Sequence, residues 1–128
     1  MLFTMRKATI LISALAFSAF GLLAQDELAT YQTAMKAAAG ANGALRKAVA
    51  DKDAAAVTAN ATKMAESFET ISKFFKDKGK EDGVKFADAA RDAAKAVAGG
   101  DDSAVAKIGP NCQGCHAVYR DGSKFKGL

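Results

Sequence analysis

From Leu28 to Val49 the larger or core-like residues recur in alternating steps of three and four: Leu28, Tyr31, Met35, Ala38, Asn42, Leu45, Val49. That spacing lays one stripe along one face of an α-helix. Three more runs keep it: Val57, Ala61, Met64, Phe68, Ile71, Phe75; then, more weakly, Phe86, Ala90, Ala93, Val97; then Val105, Ile108, Cys112, Cys115, Tyr119. No stretch alternates as a half-buried strand does. The same region is rich in alanine, with one proline and no tryptophan, a composition that favours helix.

The breaks agree with the stripes. "DKD" at 51–53 offers Asp51 or Asp53 as an N-cap, "KDKGKEDG" at 76–83 reads as a solvated turn, and "GGDDS" at 99–103 supplies a glycine stop followed by capping residues. Four amphipathic helices with short connections predict an all-α, antiparallel up-down four-helix bundle. Two features resist this. Gly40 and Gly43 lie inside the first helix, where each costs up to about 1 kcal/mol relative to alanine. Pro110 falls inside the fourth stripe, where it removes a backbone donor. Either these are tolerated irregularities, or the glycines admit something bulky and Pro110 starts or kinks the cysteine-bearing segment.

The N-terminus has a different character. Arg6 and Lys7 precede an unbroken apolar run from Ala8 to Ala24, the pattern of a secretory signal peptide. The expected organisation is a signal over 1–24 and one domain over 25–128, placing the mature protein in the periplasm. Cleavage after Ala24 competes with cleavage after Gly21, and an uncleaved anchor is the alternative. Losing Arg6 and Lys7 takes two from 18 basic residues and leaves 16 against 14 acids, so the net charge falls from +4 to about +2. With no basic block carrying interleaved aromatics, nucleic acid is not an expected partner.

Both cysteines and the only histidine stand together in "NCQGCHAVYR", 111–120. On a helix, residues three and four apart share a face, so Cys112, Cys115 and His116 project together. Cys-x-x-Cys-His is the signature of covalent c-type haem attachment. Two thiols can form thioethers with the macrocycle's two vinyl groups while the imidazole reaches the iron. Structural zinc wants four Cys/His ligands and the chain has three. A thioredoxin-like redox motif wants a βαβ context. A disulfide would close only a four-residue loop and leave His116 unexplained. With one histidine in the chain, any histidine ligand to the iron is His116, and the sixth position falls to methionine, lysine, water or nothing.

The attachment run followed by "AVYR", at the C-terminal end of an exported four-helix chain, resembles the class II c-type cytochromes, the cytochrome c′ group. The resemblance covers the whole mature chain and is most specific at Cys112, Cys115, His116, Tyr119 and Arg120. It implies one covalent haem c, with Arg120 beside the proximal imidazole. A weaker likeness lies in "YQTAMKAAAGANGAL", 31–45, where Met35-Lys36 resembles the Met-Lys pair of the methionine-ligated, low-spin branch. It implies Met35 as sixth ligand, with Ala38, Ala39, Gly40 and Gly43 leaving room for the macrocycle. Core filler is the alternative for Met35, and Met64 is a competing ligand. The family commonly carries an arginine just before this ligand. Here Thr30, Tyr31 and Gln32 stand instead, so Tyr31 or Gln32 is the candidate partner of a haem propionate.

Three functions emerge as expectations. The first is a periplasmic monohaem electron carrier, monomer or homodimer, serving redox partner proteins; lysines near the ends (Lys76, Lys78, Lys124, Lys126) either steer an acidic partner or simply solvate the surface. The second is a five-coordinate binder of nitric oxide or carbon monoxide, in which Met35 does not reach iron. The third, an enzyme such as a peroxidase, lacks a second histidine or a visible acid–base pair.

Overall fold

The computed structural model describes residues 5–127, with side chains described over 25–127, so the expected signal at 1–24 lies outside the residues whose side chains are described. Among the described residues there are four α-helices: α1 (Met5–Ala50), α2 (Ala54–Asp77), α3 (Glu81–Ala98) and α4 (Val105–Tyr119). A 3₁₀ turn, Asp102–Ala104, leads into α4, and two short strands come after it, β1 (Arg120–Asp121) and β2 (Lys124–Phe125). The chain divides into two units, Met1–Thr30 and Tyr31–Leu128, and the buried core belongs to the second. Among the described residues no helix is long and apolar enough to cross a membrane.

Local chemistry sets the helix ends close to the expected breaks. Asp53, not Asp51, caps α2, its carboxylate accepting from the Ala56 N–H at 3.1 Å. Asp51 instead pairs with Lys47 one turn back. Gly79 (φ +67°) ends α2 and Gly100 (φ +104°) comes after α3, left-handed positions where glycine has no Cβ to strain. Asp101 caps the 3₁₀ turn by accepting from the Ser103 N–H at 3.2 Å.

The helices pack against one another around a shared core. All six residues of the α2 stripe are buried, and Leu45 of α1, Met64, Ile71 and Phe75 of α2, Val97 of α3 and Ile108 of α4 are fully so. The stripe on α1 is rotated from the expected one. Tyr31, Ala34, Ala38, Ala41, Leu45 and Ala48 are buried, while Met35, Asn42 and Val49 are half-buried on its flank. Phe86 is likewise half-buried.

Pro110 lies inside α4 and does not start it. The hydrogen bond it cannot make is to the carbonyl of Ala106, an exposed residue whose oxygen water can reach. Gly40 and Gly43 are both exposed, and a Cβ at either would meet nothing within 4 Å.

The β-hairpin was not expected. Arg120 pairs with Phe125 and Asp121 with Lys124, around a two-residue loop in which Gly122 has φ +60° and Ser123 does not share the positive φ. Glycine first in such a loop is the type II′ pattern, whose twist suits a hairpin. The Lys126 N–H donates to the Tyr119 carbonyl at 2.8 Å, and Phe125 folds its ring into a cluster with Tyr31, Phe74, Phe75 and Tyr119, centroids 5.2–6.0 Å away.

Candidate functional site

Between α1, α2, α4 and the hairpin lies a cavity of about 520 Å³, within the roughly 300–1,000 Å³ typical of small-molecule and cofactor sites. Cys112, Cys115 and His116 all reach its wall from α4, as their three-four spacing requires. Cys115 is 7% exposed, and Cys112 and His116 are half-buried. Both cysteines are free thiols. Across from them α1 contributes Tyr31, Met35, Ala38 and Ala39, again at helical spacing, and α2 contributes Met64 and Phe68, one turn apart. The small residues that leave room on α1 are Ala38 and Ala39, not the two glycines.

α3 has no residue on this wall but supports it from behind. A Cβ at Gly114, between the two cysteines, would stand 2.5 Å from Cε1 of Phe86. Glycine there lets α3 press close against the back of the attachment turn. Sequence reasoning did not single out Gly114, whose place between two cysteines reads as mere spacing.

Burial governs the titrating groups. It pushes the Cys115 thiol up to about 11, with the neighbouring Cys112 adding to the effect. It also raises Cys112, against smaller opposing effects of its own backbone hydrogen bond and Arg46. His116 is pushed down, first by burial and then by the Arg120 charge. Near neutral pH the site therefore presents protonated thiols and an imidazole with a free lone pair, the form that ligates metals.

The remaining expected residues also reach the cavity. Arg120 is exposed, with its Nε donating to the Gly122 carbonyl at 2.6 Å. Tyr31 is 7% exposed and stacks on Phe74 with ring centroids 4.4 Å apart. Burial, then Cys115, pushes its phenol well above the usual range, while Arg120 opposes them, so the hydroxyl remains a donor. Gln32 is exposed and also on the wall. Both methionine candidates line the cavity, but Met64 is 0% exposed within the core while Met35 is only half-buried. Missed by sequence reasoning were Ser123 and Phe125, which the hairpin brings in; the Gly-Ser pair at 122–123 was the available signal.

Three cations stand on this wall, Lys36, Arg120 and Lys124, and it carries no aspartate or glutamate. A wider groove of about 800 Å³ along α2 and α3 differs: its cations alternate with Glu69, Glu81 and Asp88, and Asp88 is held by Ser72 at 2.7 Å and Arg91 at 2.9 Å. In that groove Arg91 and Asp88 pair with each other. Among the described residues no three His, Cys, Asp or Glu side chains gather closely enough to hold a metal ion. No protein-family model, curated protein or solved structure matches this chain.

Proposed function

We propose that this chain is an exported, periplasmic monohaem c-type cytochrome that carries electrons between redox partner proteins, built as an antiparallel up-down four-helix bundle. The observation that carries the reading is the meeting of Cys112, Cys115, His116 and Met35 around one cavity with an apolar interior and a cationic rim. The three-residue breaks at 51–53 and 78–80 support the up-down arrangement, since short connections favour antiparallel neighbours.

The residues fit the group. Cys112 and Cys115 would hold haem through thioethers, and His116 and Met35 would ligate its iron. Met35 is preferred to Met64 because its side chain is only partly committed to packing, whereas Met64 is wholly enclosed. When bound, the haem supplies a one-electron ferric/ferrous couple, which methionine ligation raises in potential.

The protein's own contribution is to restrain and shield. α4 presents thiols and imidazole from one face, Gly114 lets Phe86 support that face, and burial, with the Arg120 charge adding to it, favours the neutral form of His116. Met64, Phe68 and Ala38 give the interior an apolar lining. Absorption spectra of the oxidised and reduced protein, with and without carbon monoxide, test the reading. A low-spin ferric spectrum with slow carbon monoxide binding supports the carrier; a high-spin spectrum with ready binding supports the five-coordinate gas binder instead.

A further inference from the structure

The cavity beside α4 is apolar inside and cationic at its edge. Gln32 and Lys36 approach from α1, one turn apart, and Ser123 and Lys124 approach from the hairpin. Among the described residues neither lysine forms an ion pair. Strand register sets Asp121 opposite Lys124, yet Asp121 is not on the cavity wall. Arg120, the third cation, donates its Nε to the Gly122 carbonyl of the hairpin turn. The two lysines thus face a shared space without a carboxylate in it, unlike the lysines of the α2–α3 groove, which stand among Glu69, Glu81 and Asp88.

A carboxylate brought to the mouth of an apolar cavity loses water and needs a charged or hydrogen-bonding partner. A haem offers two such groups on an otherwise apolar macrocycle. Resting on the haem reading, we propose that Lys36 and Lys124 form the carboxylate-binding site for the haem propionates, joining α1 to the C-terminal hairpin across the cavity mouth. The hairpin then has a purpose that the attachment run alone does not explain. Phe125, packed among four other rings, anchors it, and Lys124 next to that anchor is carried to the mouth.

The test is the pH dependence of the midpoint potential of the holoprotein, measured for the wild type, for Lys36→Gln/Lys124→Gln, and for Lys63→Gln, an exposed α2 lysine away from the cavity. An ionised propionate stabilises ferric iron, so the potential falls as pH rises through the propionate pKa. An adjacent cation lowers a carboxylate pKa by about 1–3 units. The double variant is therefore expected to move the bend upward by about one pH unit or more, with Lys63→Gln unchanged and helical circular dichroism the same in all three. A bend that stays in place in a haem-bearing double variant, or moves equally in Lys63→Gln, overturns the proposal. A wild type that attaches no haem overturns instead the reading on which it rests.

Discussion

The ring of Phe86 on α3 lies against Gly114, inside the Cys-Gln-Gly-Cys-His run, with its Cε1 only 2.5 Å from where a Cβ would stand. Gly83 has a similar relation to Phe75, whose ring a Cβ at Gly83 would overlap. The difference is freedom to move: Phe75 is fully enclosed and Phe86 is half-buried. Gly83→Ala should therefore destabilise the fold by about 1–3 kcal/mol, the usual cost of overpacking. Gly114→Ala should cost less, because Phe86 can swing outward and alanine regains up to about 1 kcal/mol of helix propensity. Thermal melts of both variants check the order.

The hairpin hangs on one side chain. Phe125→Ala removes a half-buried ring that meets four others, and should cost less than the roughly 3–5 kcal/mol of a fully buried Phe→Ala change. Its local signature is sharper than its global one. Exchange of the Lys126 amide, which donates to the Tyr119 carbonyl, should quicken well before α2 amides respond.

Tyr31 makes stability depend on alkaline pH. Burial raises its pKa in the folded protein above the unfolded value of about 10, so the folded state holds the proton longer. The associated stability is fully present below about pH 10 and is lost as pH climbs from there toward the folded pKa. Denaturant titrations from pH 9 to 11 should show a decline that is smaller in Tyr31→Phe. Parallel declines in the two proteins would mean that another group titrates.

How much of this could be read beforehand depends on contrast between residues. On α2, Phe68, Ile71 and Phe75 stand out against Lys, Glu and Thr, and all six expected positions are buried. On α1, alanine occupies both the stripe and its flanks, so spacing could not separate Ala34 and Ala41 inside from Met35 and Asn42 at the edge. That rotation matters for the site, since it leaves Met35 on the cavity wall and not in the core. Cys112, Cys115 and His116 were legible as one face because helix geometry alone brings them together. The hairpin was not, because its strands are two residues each and Phe125 finds its partners only in the folded molecule.

For the proposed haem, the sixth position would separate an electron carrier from a gas binder. Met35→Ala should turn a low-spin haem high-spin, admit carbon monoxide quickly and lower the potential as the thioether is lost. Met64→Ala should instead lower stability by about 2–5 kcal/mol, as removal of a fully buried methionine does, and leave the spin state alone. Spin-state changes in Met64→Ala would exchange the roles of the two residues.

The proposed electron carriage, axial ligation and propionate binding all rest on the proposed covalent attachment of a haem. One measurement reaches that directly: the intact mass of protein exported by cells with c-type maturation machinery. The expected mass is that of the mature chain plus one haem, surviving acid-acetone extraction and absent from a Cys112→Ala/Cys115→Ala variant. An unmodified mass, or haem that extracts freely, would contradict it.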